Sequence, residues 1–279
     1  LVEEINNLGR TATLIQENSD FHPGWFDSSV PTIGYKDFLA RKDLNPSIDV
    51  VILPETFIHM LDTYRPTLPK ILFNQNGSYL FVVNRERDPS LVFNAYSHPT
   101  LAHILCVSEA NFSLLTGGLN LNLSRVNRIV NAIETDLFCL GPMKRKQIVY
   151  MPRKNKSDAF IVHAFLEKQD WFKGWRLKQL HGLSLNQVAI ELKESLCFLS
   201  FGHPEGFGLP LAEAAACGCQ LVGYSGIGGR EVFELASRHG TGYEVPYGDW
   251  QGFIDGVRTF VAQCDEDMQS TVINLAATS

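Results

Sequence analysis

Residues 204–218 read Pro-Glu-Gly-Phe-Gly-Leu-Pro-Leu-Ala-Glu-Ala-Ala-Ala-Cys-Gly, and the rest of the chain is organised around them. The stretch follows the apolar run 196–201, which is short enough to be one buried strand. Its loop glycines permit a tight turn, Pro210 is tolerated in a first helical turn, and Gly218 is a typical helix C-cap. The segment therefore predicts a strand, a glycine loop and a helix.

The loop of this segment is suited to binding a phosphate group. Its free backbone N–H groups and the positive end of the helix dipole face the same point. Glu205 lies in the loop, and Glu213 lies about one turn into the helix. Because a carboxylate repels phosphate, we expect both glutamates to bind hydroxyl groups instead. A diphosphate flanked by sugar hydroxyls is a nucleotide sugar; the alternative is an ordinary strand–loop–helix unit with solvated glutamates.

The segment resembles the E-x7-E signature of retaining glycosyltransferases with the GT-B fold, of the family 4 (group 1) type. The pieces Glu-Gly-Phe-Gly-Leu-Pro, Glu-Ala and Ala-Cys-Gly match in order and spacing. The resemblance implies an α/β protein with two facing Rossmann-like domains built on parallel sheets. It divides the chain into an acceptor-side domain, 1–141, and a nucleotide-sugar donor domain, 142–279.

The chain begins with Leu1 and an apolar helical stripe that ends at Gly9. An α/β domain normally has a strand and a loop before such a helix. We therefore expect that the family's first strand and glycine-rich loop are missing, because the sequence is a fragment or because its start was not recorded.

The composition is that of a globular protein. Hydrophobic residues make up 45% of the 279 residues and charged residues 19%. The formal net charge of −6 does not suggest a nucleic-acid partner, and no apolar run approaches the ~20 residues of a membrane-spanning helix. The six cysteines mostly lie in apolar segments, which is typical of reduced core thiols. These features predict a cytoplasmic protein, with peripheral association at the inner face of the membrane as a further option.

Polar residues follow two of the predicted strands in the first half of the chain. Three apolar runs predict buried parallel strands there: 48–53, 70–73 and 103–107. Because parallel sheets bind ligands at the carboxyl ends of their strands, Glu55, Gln75 and Asn76 are the predicted acceptor-side residues. Many members of the resembled family have a histidine near the position of Gln75, and glutamine cannot act as a general base. Of the three residues, only Glu55 could be a base.

A run of basic residues opens the second half. Residues 144–156 contain six basic residues and no acidic one. Arg153, Lys154 and Lys156 follow the predicted strand 147–151, at the edge where a parallel sheet binds its ligand. The resembled family has an arginine and, about five residues later, a lysine on the donor diphosphate. Here lysines stand one and three residues after Arg153, so both remain candidates. The alternative is a solvated basic surface.

Other segments predict further strands, helices and turns. The predicted helix N-caps are Ser108, Ser157 and Ser184, the last in a capping box with Gln187. Residues 175–180 and 221–224 are two more predicted strands, and residues 18–46 read as a loop with one short helix. A helix after Trp250 is predicted to end near Cys264, followed by a separate helical segment, 268–277.

The resemblance implies a retaining hexosyltransferase-type glycosyltransferase (EC 2.4 class), as in polysaccharide biosynthesis. Such an enzyme transfers a sugar from a nucleotide-sugar donor to a hydroxyl group of a glycan or lipid-linked acceptor. Glu205 would contact the transferred sugar, Glu213 the ribose and Gly182 the nucleobase, while the cations stabilise the leaving diphosphate. The predicted catalytic residues are Glu205, Arg153, Lys154 and Lys156, and the predicted donor-binding residues are Gly182, Gly206, Phe207, Gly208, Leu209 and Glu213. No cofactor and no metal are expected, since no Asp-x-Asp pair ends a strand.

Three alternatives stay open at this point. A sugar-nucleotide epimerase of the same fold would need no acceptor. A glucan phosphorylase is a second alternative, although no lysine-bearing cofactor motif is evident. A non-catalytic nucleotide-sugar-binding module is the third, and the absent first loop together with Gln75 favours it slightly.

Overall fold

The computed structural model describes residues 1–21, 30–82 and 89–278. Its strands are β1 (Leu14–Gln16), β2 (Thr32–Gly34), β3 (Val51–Pro54), β4 (Lys70–Asn74), β5 (Leu101–Cys106), β6 (Val126–Arg128), β7 (Arg145–Tyr150), β8 (Arg176–Gln179), β9 (Ser195–Ser200), β10 (Gln220–Gly223) and β11 (Gly242–Glu244). Its α-helices are α1 (Val2–Asn7), α2 (Tyr35–Ala40), α3 (Tyr79–Val82), α4 (Ser90–Tyr96), α5 (Glu109–Ser113), α6 (Lys156–Glu167), α7 (Leu185–Glu194), α8 (Leu209–Ala216), α9 (Arg230–Arg238) and α10 (Trp250–Thr278).

The strands form three parallel sheets. In the first half of the chain, β3, β4, β5 and β6 lie side by side in that order, and β1 and β2 form a separate pair. In the second half, the order is β8-β7-β9-β10-β11. Parallel strands alternate with helices in both halves, which confirms the predicted α/β class.

The five-stranded sheet of the second half, called the second sheet below, has a topological switch point between β7 and β9. The chain passes from β7 outward to β8, then returns to the other side of β7 with β9 and continues outward to β11. Ligands of such sheets bind outside the carboxyl ends of the strands, at the point where the order reverses. The segments that leave β7 and β9 therefore form the expected binding edge.

Both faces of the second sheet are buried. Alternate residues of β7, β9 and β10 belong to two different apolar clusters: Ile148, Leu199 and Val222 on one face, and Val149, Phe198 and Leu221 on the other. Helices α6 and α10 cover the first face, and α7, α8 and α9 cover the second. A separate cluster surrounds β3, β4 and β5 in the first half. Sheets buried on both faces explain why the strands read as continuous apolar runs.

Most of the predicted elements are confirmed. The seven predicted strands named above start and end within three residues of the observed strands. Ser108 accepts a hydrogen bond from the N–H of Asn111, and Ser184 forms the predicted capping box with Gln187. The domain division at 141/142 stays a prediction.

Three predicted details are wrong. Helix α6 begins at Lys156 and is preceded by Asn155 in the left-handed conformation, so Ser157 is not its N-cap. The segment 18–46 contains β2 as well as the short helix α2, although residues 22–29 lie outside the described ranges. Helix α10 is continuous to Thr278, and the acidic residues that follow Cys264 lie within it. Of the helices in the described ranges, none combines the length and the apolar character needed to cross a lipid bilayer.

Candidate functional site

A cavity of about 480 Å³ opens beyond the carboxyl ends of β4, β7 and β9. Its lining residues come from both halves of the chain: Gln75, Asn76, Tyr79, Arg153, Lys154, Glu205 and Gly206. Six of these seven were predicted from the sequence, and β7 and β9 supply the charged ones. The structure thus brings two predicted acceptor-side residues and three of the four predicted catalytic residues together at the switch point.

Lys154 makes more contacts with described residues than Arg153, the other cation of this cavity. Its Nζ lies 2.9 Å from a carboxylate oxygen of Glu205 and donates a hydrogen bond of 2.6 Å to the carbonyl oxygen of Pro204. The same ammonium group lies 5.5 Å from the ring centroid of Tyr79, within the range of a cation–π contact. Residues from both halves therefore hold the charge of Lys154 at the cavity wall.

Arg153 differs from its neighbour. It is exposed at the cavity, and no described residue forms a hydrogen bond or ion pair with its guanidinium group. A guanidinium group can bind two oxygens of a phosphate at once. Among the described residues, Arg153 therefore has no partner to give up before it binds an anion.

The turn after β4 is shaped by a buried carboxylate. Glu55 is 2% exposed, and its two oxygens accept hydrogen bonds from the backbone N–H groups of Gln75 (3.0 Å) and Asn76 (2.9 Å). Burial raises the pKa of Glu55 above its ordinary value, and the backbone hydrogen bonds oppose this shift. Glu55 is not among the cavity-lining residues, so it positions the turn that carries Gln75 and Asn76.

Asn76 joins the two halves of the chain. Its Nδ2 donates a 3.1 Å hydrogen bond to the carbonyl oxygen of Pro204, which is also the acceptor for Lys154. Its Oδ1 accepts from the N–H of Ser78, so the amide group has a fixed orientation. The Pro204 carbonyl is thus held from the first half by Asn76 and from the second by Lys154.

Gly206 lies close to the backbone of the first half of the chain. A Cβ atom at this position would lie 1.5 Å from the carbonyl oxygen of Gln75. On the opposite side, a Cβ atom at Gly228 would lie 2.1 Å from the carbonyl oxygen of Gly206. Only residues without a side chain allow this packing, so the glycines of the motif serve close approach as well as turning.

The loop between β9 and α8 is held by a side chain of the β7 exit. Asn155 adopts the left-handed conformation (φ 48°), and its Nδ2 donates to the carbonyl oxygens of Phe201 (2.8 Å) and His203 (2.9 Å). The His203 ring stacks on Tyr247, with 4.0 Å between the ring centroids. Desolvation and the nearby positive charge of Lys154 lower the pKa of His203. The loop that precedes Glu205 is therefore held in place by hydrogen bonds and ring stacking within the protein.

Glu213 lies in helix α8, which follows this loop. Gly208 (φ 84°) is the N-cap of that helix, and Pro210 lies in its first turn as predicted. Burial raises the pKa of Glu213 to about 7, and the negative charge of Glu134 contributes to the shift. A carboxyl group with this pKa is protonated in part of the molecules at neutral pH.

The remaining predicted site residues lie outside the cavity lining. Lys156 is exposed in the first turn of α6, and Gly182 is exposed after β8 with φ 67°. Glu55 and the rest of the donor-binding set do not contribute to the lining: Phe207, Gly208, Leu209 and Glu213. The structure therefore places Lys154, and not Lys156, at the cavity beside Arg153.

The sequence prediction missed three contributors to the site. Tyr79 follows the polar exit of β4, so its position after that strand could have suggested it. The Pro204 carbonyl and the Asn155 side chain act through hydrogen bonds to distant parts of the chain, for which the sequence contains no signal.

A second contact joins the two halves away from the cavity. Arg128, at the end of β6, forms ion pairs with Glu231 in α9 and with Glu109 in α5. The backbone N–H of Glu109 donates to the other oxygen of Glu231 (2.9 Å). Two separate contact sets therefore fix the first half against the second. Within the described ranges, no three His, Cys, Asp or Glu side chains come together as a metal site would require.

The chain resembles known proteins in sequence and in fold. Residues 137–274 match the family model described as glycosyl transferases group 1. An alpha-1,6-glucosyltransferase of Actinobacillus pleuropneumoniae serotype 7 (strain AP76) is 31% identical over 121 residues, which are 42% of this chain and 33% of the relative. The chain thus matches about a third of the length of that curated relative.

Two solved structures illustrate the likeness in fold. Sucrose-phosphate synthase from Thermosynechococcus elongatus aligns with a TM-score of 0.69 and 13% identity, covering 94% of this chain and 82% of that protein. HepE of Anabaena, solved in complex with UDP-glucose, aligns with a TM-score of 0.61 and 13% identity, covering 86% and 78%. At this identity the alignments show the fold alone. The chain has the GT-B fold, and its residues 137–274 match the glycosyl transferases group 1 family model.

Proposed function

We propose that this chain is the catalytic part of a retaining glycosyltransferase of the family 4 type. It would transfer a hexose from a nucleotide-sugar donor to a hydroxyl group of a glycan or lipid-linked acceptor. The observation that carries the proposal is that Arg153, Lys154 and Glu205 meet in one cavity at the switch point of the second sheet. Two cations suit a diphosphate, and a carboxylate beside them suits sugar hydroxyls.

The relatives support the class of donor. The Actinobacillus relative is named a glucosyltransferase, and the HepE structure contains UDP-glucose. A hexose linked to a uridine diphosphate is therefore the first donor to test. The acceptor is proposed from the resemblance, and Gln75 and Asn76 would lie on its side of the cavity.

The proposed reaction separates a sugar from a diphosphate. The bond between the anomeric carbon and the phosphate oxygen breaks, and its electron pair stays on the leaving diphosphate. Arg153 and Lys154 stabilise that charge, so the reaction needs no divalent metal. The acceptor oxygen bonds to the same face of the anomeric carbon, and its proton moves to an oxygen of the leaving phosphate.

The surroundings of the cavity favour retention over inversion. Inversion needs a general base on the acceptor side. Gln75 has no basic group, and both oxygens of Glu55 are occupied by backbone N–H groups below the turn. This list of candidate bases covers the described residues, since 22–29 and 83–88 lie outside the described ranges.

We expect the product to keep the anomeric configuration of the donor. The protein is incubated with α-configured UDP-glucose, EDTA and a panel of saccharide acceptors, with water as the minimal acceptor. Proton NMR of the fresh product then reports the anomeric coupling. An α-linked product is expected; a β-linked product would show inversion and would exclude the family 4 mechanism. The variant Arg153→Met serves as the inactive control.

Two other functions make different predictions in the same assay. A sugar-nucleotide epimerase converts the donor when no acceptor is present. A non-catalytic binding module, for which Gln75 is the favouring observation, binds nucleotide sugars and turns over none of them. Turnover that depends on a saccharide acceptor supports the glycosyltransferase and excludes both.

The raised pKa of Glu213 predicts that nucleotide binding strengthens as the pH rises through about 7. The ionised carboxylate is a stronger acceptor for ribose hydroxyls than the protonated group, so the gain should be about fivefold. UDP binding to the wild type and to Glu213→Gln is measured by calorimetry at pH 6 and pH 8. The titration of UDP itself affects both proteins equally, so it cancels in the comparison. An equal change of UDP affinity with pH in both proteins would show that Glu213 does not bind the ribose.

The same pKa shift predicts a change in stability with the opposite sign. The folded state holds the proton of Glu213 more tightly than the unfolded state, in which the pKa is 4.5. The stability contributed by this proton is therefore complete below about pH 4.5 and is lost as the pH rises to about 7. Glu213→Gln should melt at a higher temperature than the wild type at pH 8, and the difference should vanish near pH 4.

A further inference from the structure

We infer that Lys154 and Glu205 form an internal ion pair that occupies the phosphate site when no donor is bound. A phosphate of the incoming donor replaces the Glu205 carboxylate on Lys154, and the released carboxylate accepts hydrogen bonds from the sugar. This inference describes the regulation of the site and rests on the proposed function.

The ion pair lies inside the cavity and is largely shielded from water. The side chains of Lys154 and Glu205 are 19% and 17% exposed, and both line the cavity. A pair in such surroundings is screened less than a pair on the surface. One of the two positive charges that line the cavity is thus already neutralised by the protein's own carboxylate.

The other partners of Lys154 are neutral and would stay when Glu205 leaves. The Pro204 carbonyl accepts one hydrogen bond from Nζ, and the Tyr79 ring lies against the same group. An ammonium group has three N–H donors, so these contacts leave one direction for an anion. A phosphate oxygen can therefore take the place of the carboxylate oxygen without moving Lys154.

Glu205 can change partner by side-chain rotation. Its backbone is fixed, because its N–H donates to the carbonyl oxygen of Gly226 (2.8 Å) and it pairs with Ile227. Its side chain lies against two glycines: a Cβ atom at Gly202 would be 2.7 Å from the carboxylate, and one at Gly226 would be 2.8 Å from the Cγ atom. The two glycines make room for the Glu205 side chain in its place beside Lys154, and because the backbone is fixed, only the side chain rotates when Glu205 changes partner.

The ion pair would distinguish the donor from bare phosphates. Among the described lining residues, Arg153 is the one uncompensated charge when Glu205 is in place, and Arg153 and Lys154 are two positive charges when it is not. A free diphosphate must displace Glu205 and offers it no new partner, whereas a nucleotide sugar offers its hydroxyl groups. After transfer, Glu205 loses the sugar and returns to Lys154, which promotes release of the diphosphate.

The test is a comparison of anion affinities by calorimetry at pH 7.5 and 0.15 M salt. Pyrophosphate, UDP and UDP-glucose are titrated into the wild type, Glu205→Gln and Lys154→Met. Glu205→Gln should bind pyrophosphate and UDP about tenfold more tightly than the wild type and should bind UDP-glucose no more tightly. Lys154→Met, alone or combined with Glu205→Gln, should bind all three more weakly than the wild type.

The matched control is Glu234→Gln, which removes one charge from an exposed position of α9 and should change each affinity less than twofold. If Glu205→Gln fails to fold, Glu205→Asp serves instead, since the shorter side chain cannot maintain the 2.9 Å contact. Equal or weaker binding of UDP by the folded variant would overturn the inference. The calorimetric readout needs no turnover. If Glu205→Gln binds UDP more tightly but the wild type transfers no sugar, the proposed function is refuted and the ion pair stands.

Discussion

We expect the substitution Gly206→Ala to abolish sugar transfer while both halves of the chain stay folded. The new Cβ atom would lie 1.5 Å from the carbonyl oxygen of Gln75 and 2.7 Å from its carbonyl carbon. These are backbone atoms of a turn that Glu55 holds in place, so they cannot move aside cheaply. The loop of Gly206 would have to withdraw from the first half and take Glu205 with it. A displacement on the order of 1 Å at a reacting group costs about 100-fold in rate, and a larger loss is expected here.

The matched control for this substitution is Gly117→Ala. A Cβ atom at Gly117 meets no atom within 4 Å, and this glycine does not have a positive φ. Transfer rates, circular dichroism and small-angle scattering of both variants separate loss of activity from loss of folding. Gly206→Ala should keep its helical signal and become more expanded in solution. Activity within threefold of the wild type would mean that the two backbones do not touch in the working protein.

A second large effect is expected when either cation of the cavity is neutralised. Arg153→Met and Lys154→Met should each lower kcat about 100- to 1,000-fold, the usual loss for one group that stabilises charge in a transition state. The loss should appear in kcat rather than in KM for an uncharged acceptor, because the cations act on the leaving diphosphate. Initial-rate kinetics with varied donor and acceptor measure both quantities.

Two lysines outside the cavity provide the comparison. Lys156→Met decides between the lysines that the sequence left open, and we expect it to cost less than threefold because Lys156 is exposed in the first turn of α6. Lys168→Met, at the far end of that helix, controls for net charge. Lys154→Met leaves Glu205 without its ion-pair partner, so the double variant with Glu205→Gln should regain stability without regaining activity. A Lys154→Met protein that is as active as Lys168→Met would exclude Lys154 from the reaction.

The location of the site was predictable from the sequence because it depends on strand order and strand ends. An apolar run followed by Arg153 and Lys154, and another followed by Glu205, are enough to place these charges at one edge of a parallel sheet. The glycines between Glu205 and α8 give the turn, and the capping box at Ser184 fixes the start of α7. These signals are local, and each needs only a few neighbouring residues.

The contacts that complete the site were not predictable in this way. The hydrogen bond from Asn76 to Pro204 joins residues 128 positions apart and involves a backbone carbonyl, which any residue would provide. The choice of Lys154 over Lys156 depends on where α6 begins: Asn155, in the left-handed conformation, is its N-cap, and Lys156 is its first residue and does not line the cavity. Glu55 was a candidate base by its position, and only its burial under the turn reveals a positioning role.

The hydrogen bonds of Asn155 have a consequence for the thermodynamics of ligand binding. Loops that become ordered only around a ligand lose conformational entropy at that moment, and the affinity falls accordingly. The loop after β9 has already lost this freedom during folding, because one amide group ties down the carbonyl oxygens of Phe201 and His203. Its backbone therefore does not have to be ordered when a ligand arrives, and more of the interaction energy of Glu205 and its neighbours remains available as affinity.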